Sequence, residues 1–497
     1  MPFVWYPVTE NTHTLDTIGR IDRGHYGLGL VLYGFFTLTR YSGRYAPARH
    51  HGVFRAVKCL ILLVCAAALP LSAQDPAAAP DPERWNLYWQ ATSIGQYHGS
   101  FPSLYSGPFS LLSHPEAEAS LTTTLFFGWQ PFRDTQLYFD PEIAGGRGFS
   151  ATNGIANFPN GEMPRVATAS PKPYLARLYI TQDFGFGDER EAVDSDENQL
   201  AGSRPMTRYS ITAGRFTVTD FFDNNRYTHD PRTQFMGWAV MYNGAWDYPA
   251  DTRGYTWGWV HEFHARHWSL RYSSSAEPRV ANGLRFDRRL LRDRGDVYEG
   301  EIRGKLHGHD GAVRVLHSRD YTDSGTYAEA LRVAAQTGGT PDVAAVHRAG
   351  TLKYGFGLSA DQEIAAGIGV FGRLGWSDGK TESFVFTAID RLATAGVSVV
   401  GGRWKRPGDT AASEWTVNGI SGVHRMYLER GGLDFLIGDG ALRYGRESVW
   451  ESYYSARLAP WLFATLDLQY IANPAYNQDR GPVWVETLRL HIETGKK

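Results

Sequence analysis

The chain has 497 residues, and 50 Lys+Arg against 52 Asp+Glu leave a formal net charge of -2. That balance excludes a nucleic-acid binder, which needs a cationic surplus to neutralise phosphates. Outside one N-terminal stretch, no uncharged apolar run approaches the roughly 18 residues of a membrane helix, so a multi-span helical membrane protein is excluded too.

Residues 1–52 have mixed polarity and no sustained period, and they read as a non-native, disordered extension, with Val53 offering an alternative start. Arg55 and Lys58 then precede an apolar run over 59–71, and Ser72 and Ala73 put small residues before Gln74. This is the layout of a cleavable signal peptide over 53–73, with cleavage expected after Ala73. The run is too short to span a bilayer, and Leu63 and Val64 before Cys65 do not make a lipoprotein signal. Residues 74–84 read as a periplasmic linker. Both cysteines, Cys59 and Cys65, lie in the signal, so the mature chain is expected to hold itself together without disulfides.

From Trp85 onward the period is two. Trp85, Leu87 and Trp89 alternate with Asn86, Tyr88 and Gln90; Ala117, Ala119, Leu121, Thr123, Leu125 and Phe127 alternate with Glu118, Ser120, Thr122 and Thr124. The same alternation recurs at Tyr209–Ile211–Ala213, Tyr255–Trp257–Trp259, Trp268–Leu270–Tyr272, as one stripe from Ile364 to Trp376, then at Trp450–Tyr454–Leu458 and from Leu462 to Tyr470. These are half-apolar strands. Asn243-Gly244, His307-Gly308, Asp378-Gly379, Gly408-Asp409 and Asn418-Gly419 are the turn signals between them. The best helical stretch is short, over 328–336.

A secreted chain of such strands closes either a soluble sandwich or propeller or a membrane barrel. Aromatics gather at strand ends (Trp85, Trp89, Trp129, Trp461, Phe463), as interfacial girdles require, while Gln136, Arg177, Arg271, Arg373, Glu451, Asp467 and Gln469 suit a watery lumen. The roughly 424 residues after Ala73, at about 26 per strand and connection, make about 16 strands, a barrel wide enough to leave an aqueous channel. The expected fold is an all-β, single transmembrane outer-membrane β-barrel of about 16 antiparallel strands over 85–497.

Several blocks then resemble one family. They are FDPEIAGGRG from Phe139, NFPNGE from Asn157, GRF from Gly214 with DNN from Asp223, GDG from Gly438, YGRE from Tyr444, ESYY from Glu451 and DLQYIANP from Asp467. In this order, and spread over most of the chain after Trp85, they are similar to the carbohydrate-selective porins of the OprB type. The resemblance implies a monomeric barrel of about sixteen strands in the bacterial outer membrane that passes sugars. One departure is the C-terminus, His491 to Lys497, which lacks the final aromatic read by the barrel-assembly machinery.

A sugar channel needs aromatic faces for pyranose rings and charged or amide partners for hydroxyls, held weakly enough to release. The stretch 142–177 is Gly-rich and carries Glu142, Arg147, Asn160, Glu162, Arg165 and Arg177, opposed charges that would make a nearly neutral polar constriction. A second stretch, 220–247, offers Asp223, Asn224, Asn225, Arg226, His229, Asp230, Arg232 and Trp246, and is read as an inward loop that braces more than it contacts solute. Partners are then outer-membrane lipid, transported sugars and the assembly machinery. Nucleic acid, cofactors, metals and catalytic residues are not expected.

Enzyme-like motifs weigh little. Gly367 to Gly372 matches G-x-G-x-x-G without a following helix, and Gly375 to Thr381 is one residue short of a P-loop. His261 and His264 would face opposite sides of a strand. The acidic run 188–197 reads as a solvated extracellular loop before it reads as a calcium site. The alternatives are a general or acidic-oligosaccharide porin and, more remotely, a barrel enzyme, for which no short nucleophile motif is present.

Overall fold

The computed structural model describes residues 80–289 and 292–495; the expectations for 1–52, 53–73 and the first part of the 74–84 linker lie outside the described residues. The strands are β1 (Trp85–His98), β2 (Glu116–Phe132), β3 (Thr135–Gly146), β4 (Lys172–Gly185), the short pair β5 (Arg190–Val193) and β6 (Gly202–Pro205), and β7 (Arg208–Phe216). Then come β8 (Thr256–His264), β9 (Trp268–Ala276), β10 (Arg294–Leu306), β11 (His309–Ser324), β12 (Arg348–Ala365) and β13 (Ile368–Ser377). The last are β14 (Arg391–Val400), β15 (Thr410–Gly419), β16 (Glu447–Ala459), β17 (Leu462–Ala472) and β18 (Val483–Thr494). All but β5 and β6 close one antiparallel barrel of sixteen strands among the described residues. Closure is made by β1 on β18, paired from Trp89–Thr494 to His98–Val485, which leaves no free strand edge.

Alternation sets the two faces. On β1, Asn86, Gln90, Thr92 and Gln96 are buried toward the lumen while Trp85, Leu87, Trp89 and Tyr97 are exposed outward. Outward-facing Trp85, Trp129 and Trp268 ring one end, and Trp257 and Trp484 the other, the pair of aromatic belts a bilayer requires. No helix among the described residues is long and apolar enough to cross a membrane; the strands do so.

The two ends differ. One carries the connections 133–134, 265–267, 307–308, 366–367, 401–409 and 460–461, beside Trp85 and Thr494. The other carries 99–115, 147–171, 217–255, 277–293, 325–347, 378–390, 420–446 and 473–482. Short periplasmic turns and long outer loops assign the first end to the periplasm.

The loop 217–255 folds into the barrel and builds a core there. Trp238 stacks on Phe158 at 5.1 Å and meets Phe386 at 5.6 Å and Tyr248 at 5.9 Å. Wall glycines admit it: a Cβ at Gly369 would stand 1.9 Å from the Tyr227 ring, and one at Gly375 2.1 Å from the Asn243 amide oxygen.

Several sequence expectations are corrected. The stripe from Ile364 to Trp376 is two strands, β12 and β13, joined at Ala366 and Gly367. Asn243-Gly244 is no hairpin turn but part of the inward loop, where the Asn243 N–H donates to Asp223 at 2.6 Å. Asp378-Gly379 and Asn418-Gly419 open long outer connections rather than tight turns. The acidic run 188–197 is not extracellular: it lies between β4 and β7 at the periplasmic end and includes β5. The short helix forms as Tyr327–Thr337, with Thr326 accepting from the Glu329 N–H and Gly338 closing it at φ 74. A second outer helix, Gly422–Glu429, is added to it.

Candidate functional site

Inside the barrel two outer loops meet the wall. Thr124 of β2, Glu142 of β3 and Tyr174 of β4 face inward, and Glu142 accepts from both hydroxyls. From the loop 147–171, the helical turn Met163–Val166 brings Arg165 to Glu162 at 2.6 Å. From the loop 217–255, Arg232 reaches both carboxylates, Glu142 at 2.7 Å and Glu162 at 3.0 Å. Two carboxylates and two guanidiniums therefore form one continuous, charge-balanced chain, completed by the Tyr255 hydroxyl, which accepts from Arg165 at 3.4 Å. Nearby, burial holds the His229 imidazole down to about 4, so it is neutral at physiological pH.

Cavities flank this chain. On the outer side lies one of about 710 Å³, lined by Phe158, Met163, Pro164, Val166 and Phe386. On the inner side lies one of about 930 Å³, lined by Arg165, Arg177, Tyr179, Asp220, Arg232 and Arg271. Both fall within the range of small-molecule sites. An apolar lining leads in from outside, and a two-signed polar lining leads out.

The sequence-derived residues divide among different tasks. Glu142, Glu162 and Arg165 are in the chain itself. Asn160 supports it from behind, donating to Ser120 at 3.0 Å and accepting from the Glu162 N–H at 3.0 Å. Arg177 stands one layer inward, doubly bonded to Asp220 at 2.7 and 2.6 Å, 3.3 Å from Asp140 and 5.5 Å from the centre of the Tyr255 ring. Arg147 is exposed and lines the outer cavity, away from the carboxylate cluster.

In the second stretch, Asn224 lines the inner cavity while donating to the Asp220 carbonyl at 3.1 Å. Asp223 is buried as an anchor, 3.0 Å from Arg373. Arg226 is exposed and lies over Tyr227 at 5.9 Å rather than in the chain. Trp246 is a core residue, 1% exposed, packed on Phe222 and Tyr248.

Tyr174, Tyr255, Asp140 and Asp220 are the contributors that sequence reasoning did not single out as site residues, and Arg232, offered there as part of a bracing loop, is instead the residue that joins the two carboxylates. Arg232 is 90 positions from Glu142, and no local pattern links the two. Further round the wall, Arg271 is held by Glu262, Glu299 and Glu301 at 3.1, 2.8 and 3.1 Å.

A family model described as "Carbohydrate-selective porin, OprB family" matches residues 115–493. No curated protein matches the chain. Among solved structures, the high-pH structure of Pseudomonas putida OprB is similar at 15% identity and a TM-score of 0.62, covering 82% of this chain and 94% of that one. The low-pH structure of the same protein is similar at 12% identity and TM-score 0.43, covering 82% and 93%. Salmonella typhi OmpF, in complex with daunomycin, follows at 8% identity and TM-score 0.43, covering 82% and 97%.

Proposed function

The chain belongs to the carbohydrate-selective porin, OprB, family, and on that premise we propose that sugars crossing it are selected at the chain of Glu142, Glu162, Arg165 and Arg232. The protein is an outer-membrane porin through which carbohydrates diffuse passively.

The observation that carries the proposal is the charge balance of this constriction between two cavities. A neutral polyol gains hydrogen bonds from fixed carboxylates and guanidiniums without being attracted or repelled by net charge. Each contact is one hydrogen bond exchangeable with water, which suits a pore that must release what it binds. Arg147 guards the outer mouth, Arg177 and Asn224 receive solute on the inner side, and Asn160, Asp223, Arg226 and Trp246 hold the loops that shape the passage.

The barrel acts as a monomer, folded by the outer-membrane assembly machinery after a signal over 53–73 is removed. An intact mass beginning near Gln74 is the expected result for the mature chain.

Proteoliposome swelling tests the selection. Neutral mono- and disaccharides are expected to enter faster than amino acids and charged solutes of matched size. Equal rates for all small solutes would mark a general pore and remove the proposal.

A further inference from the structure

The periplasmic end has one connection that its neighbours do not explain. Six turns there have two to nine residues, yet 186–207 has 22 and forms the β5–β6 hairpin. Long connections in a compact fold are usually functional. This one does not hang free.

Its tip turns back into the lumen and is fixed there. Glu83 accepts from the Ser195 hydroxyl at 2.7 Å and the Ala201 N–H at 3.0 Å. Asn86 of β1 donates to the Gln199 carbonyl at 2.8 Å, and Tyr88 donates to Ser195 at 2.7 Å. Leu200 is 2% exposed and packs over Gly128, where a Cβ would come within 3.3 Å of it. At the tip, Asn198 takes a left-handed conformation, φ 54, and donates to Asp140 at 2.9 Å. Asp140 is fully buried and is also reached by Arg177 at 3.3 Å.

The exchange leaves two acceptors over. The second oxygen of Asp140 and the amide oxygen of Asn198 are buried with no donor among the described residues, an arrangement that costs free energy until a donor arrives. Asn198, Arg177 and Asp220 all belong to the inner cavity or its wall. Of the two, Asn198 lines the cavity, whereas Asp140 lies behind the wall with no exposure.

We propose that the hairpin 186–207 is a fixed inner filter, and that Asn198 with Asp140 and Arg177 forms a second subsite for polyhydroxylated solutes on the periplasmic side of the constriction. It rests on the carbohydrate reading given above and extends it: solute is read twice, first by the loops from outside and then by a hairpin from the periplasmic end. A sugar hydroxyl donates to Asn198, which Asp140 holds from behind, while Arg177 donates to a neighbouring hydroxyl.

The test uses the mature full-length chain in planar bilayers, with D-glucose added to each side separately and the half-blocking concentration read from the ion current. For the native chain, block is expected from both sides. Asn198→Ala should raise the half-blocking concentration three- to tenfold for glucose added on the periplasmic side, the worth of about one hydrogen bond. Glucose added outside should still block through the constriction. Shortening the tip, with 194–201 replaced by Asn-Gly, should also raise the conductance. Unchanged block and conductance in both variants, beside a sugar preference retained in swelling, would overturn the inner filter alone. No glucose block of the native chain from either side, with swelling rates set by size only, would overturn the filter and the carbohydrate constriction together.

Discussion

Arg373 of β13 and Asp223 of the inward loop pair at 3.0 Å with both side chains sealed from solvent. The same guanidinium also donates to the carbonyls of Val240 at 2.5 Å and Thr228 at 2.8 Å, so one wall arginine pins three points of the 217–255 loop. Removing one partner of such a pair strands a buried charge, at about 3–5 kcal/mol. Arg373→Met is expected to leave the barrel closed but to release the loop. Limited proteolysis should then cut within 217–255, and disaccharides should swell liposomes faster than with the native chain.

The two-by-two charge chain makes opposite predictions for its two signs. Glu162→Gln leaves it net positive, and Arg165→Gln leaves it net negative. In a salt gradient the reversal potential should move toward anion preference in the first and cation preference in the second. A unit charge acting at 4 Å in watery surroundings is worth about 1 kcal/mol, or about fivefold in permeability ratio. Shifts of the same sign in both variants would place the ion path elsewhere.

Trp246 is buried in the inner core and lines neither cavity beside the charge chain. Its ring lies 5.5 Å from Tyr248 and 6.4 Å from Phe222. Trp246→Ala should lower stability by about 3–5 kcal/mol, seen as an earlier loss of heat-modifiable migration. Trp246→Phe should restore most of that, and in both variants the ratio of sugar to amino-acid swelling, normalised to folded channel, should stay native.

The barrel was legible because lipid and water impose opposite demands on alternate residues, as Leu87 and Trp89 against Gln90 and Thr92 display. Its misreadings have the same physical source. Ile364 and Ile368 continue one parity across Ala366-Gly367, since a two-residue turn preserves the alternation, and two strands look like one. Asn243-Gly244 has turn chemistry, but its amide is consumed in folding a loop inward. Glu142, Glu162 and Arg165 came from one Gly-rich stretch. Arg232, which unites them, came from the second stretch, and only the inward fold of 217–255 brings it to them. The hairpin at 190–205 was masked by its acidity, which suggested solvent when Arg204 and Arg208 pair with Glu191.

The outer loops carry a titratable clasp. His424, at the helix Gly422–Glu429, lies 3.0 Å from Asp390 and 3.1 Å from Asp434, and stacks on Tyr327 of the neighbouring outer helix at 4.3 Å. Burial opposes its charge, but the two carboxylates prevail and raise it to about 9. Burial likewise works against Asp390 and Asp434, and the imidazolium holds both below the ordinary carboxylate range. A raised histidine gives stability that is complete below its ordinary value of 6.5 and is lost as pH rises through about 9. The depressed carboxylates give stability that is present above their ordinary 3.8 and is lost as pH falls below it. The clasp is therefore firmest between about pH 4 and 6.5. From pH 7 to 10 it should loosen, leaving two buried carboxylates without their cation. Amide hydrogen exchange over 420–434, corrected for intrinsic rates, should accelerate across that interval, whereas exchange in β1 and β18 should not. In His424→Gln the difference between pH 7 and pH 10 should vanish, because no proton is left to lose; a pH-dependent opening that persists in this variant would assign the effect to another group.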